Sequence, residues 1–340
     1  MKKLICSLAA LAVLVSCEDD KPNIPTPVKP GNNKVWVLNE GNFQAGNSTL
    51  GVYDVDSNSY ATDIFSVVNN RPLGDVLQSA LQVENEIYLI VNNSGKIEVI
   101  NKDNFESTGT ISGLKSPRYA LQVSPTEILV SDLFSDSVAV INPATKMVES
   151  HINISSSSEE MAMVNGKIFI TNTYTSHITV IDWATKNVST IATTFNPTAI
   201  GIDKNGKAWV LCGGDPFNSV NGAIEVINTN TESVEKTIAL NQGSYTNKIA
   251  FNTNKDSLYY LTGGVYKMSI DGTSEPATPT ISAGSNSFYG LSYNAEAEQV
   301  WLADAKDFNQ KGQVLLFSRN GELVHSFDAG INPNGFLMEK

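Results

Sequence analysis

Residues 168–191 read IFITNTYTSHITVIDWATKNVSTI. The first run, Ile168-Phe169-Ile170, is short, β-branched and aromatic, and Thr171-Asn172 follows it with turn-forming side chains. A second run, Ile178-Thr179-Val180-Ile181, comes next and is closed by Asp182. Two such runs joined by polar turn formers read as an antiparallel hairpin. Neither run carries a 3.6-residue apolar period, so the stretch does not read as helix.

The same pair recurs along the chain. First runs begin at Val35, Leu89, Ile128, Ile168, Ala208, Leu258 and Val300, and second runs at Gly51, Ile97, Val138, Ile178, Ile224, Val265 and Val314. Third runs such as 148–152 and 234–240 lead out. Trp36 and Trp301 hold equivalent places 265 residues apart over six steps, or about 44 residues per repeat. That is the length of a four-stranded propeller blade, and seven of them predict an all-β, seven-bladed β-propeller. A fourth strand should precede each first run, at 76–81, 116–121, 158–163, 196–200, 245–249, 287–291 and 332–337. The last of these has no blade after it, and the blade at Val35 lacks one. Residues 334–338 are therefore expected to join the first blade and close the ring.

The N-terminus reads differently. Lys2-Lys3 precedes an apolar run over 4–15 that is too short to span a bilayer and reads as a secretory signal. It ends in Leu14-Val15-Ser16-Cys17, which resembles a bacterial lipobox with Cys17 as the lipidated residue. Glu18-Asp19-Asp20 follows, then a polar stretch punctuated by Pro22, Pro25, Pro27 and Pro30. Extended at ~3.1 Å per residue, this tether reaches roughly 50 Å. The expected organisation is a signal over 1–16, a lipidated tether over 17–33 and the propeller over 34–340. The anchor is lipid, on the outer membrane and facing the cell exterior.

Of three cysteines, Cys6 leaves with the signal, Cys17 carries lipid and Cys212 stands alone, so the fold must rest on its apolar core without a disulfide. The formal charge of −12 disfavours nucleic acid as a partner. His151, His177 and His325 stand apart from one another and from cysteine, without zinc-site spacing. There is no G-x-S-x-G elbow and no phosphate loop.

The quoted stretch resembles the YVTN-type propeller repeat, over roughly 34–340. Four shorter phrases, VLNEGNF (37–43), RPLGDVLQS (71–79), IVNNSGKIEVI (90–100) and SPRY (116–119), are narrower. They resemble a group of Bacteroidota surface lipoprotein propellers that includes the vitamin B12-capturing lipoprotein BtuG, which works beside a TonB-dependent transporter. The acidic cluster after Cys17 likewise resembles a surface-export signal of that phylum. The resemblance implies a monomeric, non-enzymatic binder of cobalamin or a similar bulky molecule, handing it to such a transporter. Cobalamin would be a bound ligand, and no catalytic cofactor or metal is implied.

Loops from first to second run share one face with the links between blades. There the sequence places Asn39, Glu40, Phe43, Arg71, Phe217, Asp304 and Phe308, with Asn92, Asp132 and Asn172 at equivalent strand ends. Toward the channel it offers Gln78, Arg118, Tyr119, Glu160, Asn247 and Tyr289. Amides and aromatics together suit an amide-rich ligand with apolar edges. The strand-end Asn and Asp also suit capping of their own turns, and both uses stay open. Two further readings are a docking scaffold, marked by aromatics spread along a rim, and a lactonase-like hydrolase. The latter would hold Ca²⁺ among Asn39, Asn92, Asp132, Asn172, Cys212, Thr262 and Asp304, only two of which are acidic.

Overall fold

The computed structural model describes residues 33–244 and 247–338. The signal, Cys17 and nearly all of the tether lie outside the described residues. The hairpin read from the quoted stretch is present: Lys167–Thr171 pairs with His177–Asp182, setting Ile168 against Ile181 and Phe169 against Val180. Met161–Val164 adds on one side and Val188–Ala192 on the other. Seven such antiparallel sheets form a seven-bladed propeller.

The central strands are apolar at consecutive positions because both faces of each blade are covered. Side chains alternate across a strand, so neighbours enter different interfaces. Ile168 and Ile170 pack with Leu129 and Val138 of the preceding blade, whereas Phe169 packs with Val210 and Ile227 of the next. Val35 and Val37 likewise meet Trp301 of the seventh blade, while Trp36 and Leu38 meet Leu77 and Leu89 of the second. The outermost strands have no such cover, and in Met147–Asn153 five of seven residues are exposed.

Pro333–Met338 pairs with Lys34–Asn39, as expected for closure, with Trp36 opposite Leu337 and Val37 opposite Phe336. The first blade is thus built from both ends of the described chain. Two features depart from the repeat. The sixth blade has three strands, Lys248–Phe251, Ser257–Thr262 and Gly264–Ser269, and beyond them only a bridge from Val265 to Ile281. Pro276 and Pro279 remove ladder donors just where an outer strand would lie. The link from blade one to blade two carries a short helix, Ile64–Asn69, that buries Ile64 and Phe65.

Candidate functional site

The innermost strands meet around the axis, and their first residues are placed by a repeated irregularity. In blade two Leu77 pairs with Val91 and Ser79 with Ile90, so Gln78 faces no partner. Thr198, Tyr289 and Asn334 are skipped in the same way, and Arg118 with Tyr119 stand against Ser131 alone. A β-bulge re-aims the residue left out of the ladder. Here the residues left out all line one central cavity of about 210 Å³, together with Glu40, Glu159, Tyr174, Asn247 and Lys248. Three of the bulged strands open on proline, at Pro117, Pro197 and Pro333, where the missing N–H costs no ladder bond.

The cavity is a network of paired charges. Arg118 Nε donates to Glu159 at 2.9 Å, and its terminal nitrogen donates to Gln78 Oε1. Lys248 Nζ donates to the Tyr119 hydroxyl at 2.8 Å and lies 3.6 Å from Glu160. Glu160 also accepts the backbone N–H of Ile200 at 3.1 Å. On the other side Glu40 accepts from Asn334 Nδ2 at 2.7 Å and from the Tyr289 hydroxyl at 3.2 Å. Burial pushes the Glu40 and Glu160 carboxyls up, against the pull of Asn334 on one and of Lys248 on the other. Burial works the other way on Lys248, where Tyr119 and Glu160 overcome it and hold the ammonium protonated.

Around this polar mouth stands an aromatic rim. Phe43, Phe134, Tyr174, Phe217 and Phe308 are the exposed rings among the large apolar side chains, at 67, 72, 74, 87 and 45 % exposure. All five lie on loops from first to second strand, in blades one, three, four, five and seven. Phe217 sits in a 3-10 turn, Pro216–Asn218, whose Asp215 side chain caps the N–H groups of Phe217 and Asn218. Phe308 meets the edge of Tyr289, with ring centroids 5.3 Å apart, and so joins the rim to the cavity.

The structure sorts the residues expected from sequence. Glu40, Gln78, Arg118, Tyr119 and Tyr289 line the cavity, and Asn247 does too. Phe43, Phe217 and Phe308 are on the rim. Asn39, Asn92, Asp132, Asn172 and Asp304 are buried, and their side chains are bonded chiefly to backbone and side chains of adjoining strands and links. Asn92 Nδ2 donates to Ser116 and Pro117, Asn172 Nδ2 to the Ser157 carbonyl, and Asn39 Oδ1 accepts from Gly330. Asp132 accepts N–H groups of Lys115, Ser116 and Phe134, and Asp304 those of Ser287 and Lys306. The oxygens of Asn39, Asp132 and Asp304 are thereby engaged, Asn172 Oδ1 accepts from the Thr179 hydroxyl, and the described residues contain no cluster of three or more His, Cys, Asp or Glu placed to hold a metal. This does not favour the hydrolase reading. Arg71 is drawn away to Glu98, at 2.6 Å, and over the Phe65 ring.

Sequence reasoning missed Glu159, Lys248, Thr198 and Asn334 in the cavity, and Phe134 and Tyr174 on the rim. A signal existed for two of them. Thr198 and Asn334, like Arg118, each follow the proline that opens an inner strand.

Seven blades around a charged central mouth define a β-propeller with a candidate site on its loop face. The chain belongs to the family described as a domain of unknown function, DUF5074, which matches residues 33–332. No curated protein matches it. Among solved structures it is similar to a quinonprotein alcohol dehydrogenase-like protein from Bacteroides thetaiotaomicron, at 14% identity and TM-score 0.71 over 90% of this chain and 78% of that one. A functionally unknown protein from Desulfotomaculum acetoxidans follows at 13% and 0.67, over 91% and 99%. The periplasmic gluconolactonase of Pseudomonas aeruginosa matches at 10% and 0.66, over 91% and 99%. At these identities the likeness is one of fold, and function is argued from the site.

Proposed function

We propose that this propeller captures a bulky, amide-rich small molecule on its loop face, with cobalamin as the first candidate, and passes it to a TonB-dependent outer-membrane transporter. It acts as a binder without a catalytic cofactor, held by lipid on Cys17 at the outer surface of the cell. The observation that carries this is the rim of exposed rings around a polar, bulge-built mouth. Aromatic faces pack on the apolar edges of a ligand while fixed polar groups orient it. The cavity, at about 210 Å³, falls below the roughly 300–1,000 Å³ of pockets that engulf drug-sized ligands. A cobamide would accordingly rest on the rim and insert one polar edge.

Tyr174 lines the cavity and Phe308 touches it through Tyr289, whereas Phe43, Phe134 and Phe217 do not line it. These outer rings favour a second role for the same face, docking a protein partner, and the two roles coexist if the partner is the transporter. Calorimetric titration of the purified protein with cyanocobalamin tests the ligand. One-to-one binding with a submicromolar Kd is expected. Absence of heat at micromolar protein would remove cobalamin and leave the fold untouched.

A further inference from the structure

The polar groups of the cavity are unevenly satisfied. Both cations are already paired, Arg118 with Glu159 and Lys248 with Glu160. Glu40 is the exception among the cavity's carboxylates, for no Lys, Arg or His of the described residues lies within 4 Å of it. It accepts from Asn334 and Tyr289, which leaves part of the capacity of a carboxylate, about four lone-pair sites, unused.

Two amides carry the same imbalance. Asn247 and Asn334 line the cavity, and are 7 and 5 % exposed. Each has its nitrogen committed, Asn247 Nδ2 to the Ser244 carbonyl at 2.8 Å and Asn334 Nδ2 to Glu40 and to the carbonyls of Leu77 and Gln78. Each has an Oδ1 without a hydrogen-bond partner among the described residues. Leaving a buried acceptor unmade is costly, so the site as it stands is short of donors.

We infer that this cavity is an acceptor site, which takes an N–H-bearing group of the ligand, an amine or a primary amide, on the Glu40 carboxylate and excludes carboxylates and phosphates. An anionic group brought here would add acceptors to a set already in excess, and both cations are occupied. This rests on the capture reading for its premise that the loop face takes a small molecule, and it goes on to name the chemical group that is read.

The test uses small probes on the whole protein, followed by ligand-observed NMR: propylammonium, propionamide and propionate, each also in competition with cyanocobalamin where that binds. Propylammonium and propionamide should bind the wild type, and propionate should not. Glu40→Gln should weaken propylammonium about tenfold, a change of about 1.4 kcal/mol, with less effect on propionamide. An amine-only response would assign the ammonium form, and an amide-only response the amide. Propionate bound as tightly as either N–H probe would overturn the inference, as would the absence of binding by both. So would propylammonium binding that Glu40→Gln leaves unchanged in a variant whose melting matches the wild type. The probe comparison in the wild type stands even if that variant does not fold. N–H probes that bind while cyanocobalamin does not would remove cobalamin alone and keep the acceptor site.

Discussion

The Lys248 ammonium donates to the Tyr119 hydroxyl at 2.8 Å, joining the inner strand of the sixth blade to that of the third across the axis. The same hydroxyl lies 3.5 Å from Gln78 Nε2 of the second blade. Blades in a ring touch only their neighbours through apolar faces, so this polar bridge ties together parts that the core leaves separate. It also explains how a lysine is tolerated there. Desolvation alone would discharge it, and a phenol together with Glu160 keeps the charge.

Replacing Tyr119 by Phe keeps the ring and removes that acceptor. Lys248 would be left with Glu160 at 3.6 Å as its remaining partner. A loss of about 1 kcal/mol in denaturant-induced unfolding is expected, near the net worth of one hydrogen bond, with blade packing unchanged. A Tyr119→Phe protein as stable as the wild type would mean that the bridge is incidental.

How much of this was legible in the sequence depends on the range of the interaction. The runs around Trp36, Phe169 and Trp301 announced blades because alternate side chains enter alternate interfaces, and that pattern is local. Closure by Asn334 and its neighbours followed from counting strands. The bulges were not legible, because a residue missing from a ladder is defined by the strand opposite. The proline before Thr198 and before Asn334 marks where an inner strand opens, but not which residue leaves the ladder. Arg71 sits on a link and is expected at the mouth, but its partner Glu98 lies 27 positions on, in the middle of a buried strand. The helix Ile64–Asn69 is too short to show a period.

That last pair makes a sharper prediction. The Glu98 side chain is fully buried, and burial by itself would raise its carboxyl. Hydrogen bonds from Arg71 and Ser107, with help from Lys96, hold it below the usual range instead. A depressed carboxyl contributes stability that is present above the unfolded value, about 4.3, and is lost as pH falls through the folded one. Arg71→Ala should cost about 1–2 kcal/mol at neutral pH, moderated because Lys96 remains and the guanidinium is partly in water. The deficit should shrink on acidification below pH ~4.3. Urea titrations at a series of pH values measure it. Cyanocobalamin binding should be unaffected, which separates Arg71 from the residues at the mouth.

Closure of the ring can be tested by deletion. Residues 332–340 include the whole inner strand of the first blade, and its Leu337, Phe336 and Met338 pack into the two clusters flanking that blade. Removing them exposes the inner edge of Lys34–Asn39 and uncovers Trp36 and Trp301 together. Loss of the cooperative thermal transition is expected, well beyond the effect of any one side chain. A truncated protein that melts with the wild type would show that the first blade holds without its inner strand.

The rim gives the most direct reading of the ligand site. Phe308 and Tyr174 are exposed, yet one packs on Tyr289 and the other lines the cavity. Leu323, at 57 % exposure, is as accessible but lies on the outermost strand of blade seven, away from the loops. If capture depends on aromatic contact over the mouth, Phe308→Ala and Tyr174→Ala should each raise the Kd for cyanocobalamin about 5- to 30-fold, or about 1–2 kcal/mol. Leu323→Ser should leave it unchanged. Because Phe308 also supports the ring that donates to Glu40, its variant should lose more than that of Tyr174. Equal losses would place the ligand on the rim alone. Losses confined to Phe43, Phe134 or Phe217 would move the contact outward, to the surface assigned here to a docking partner.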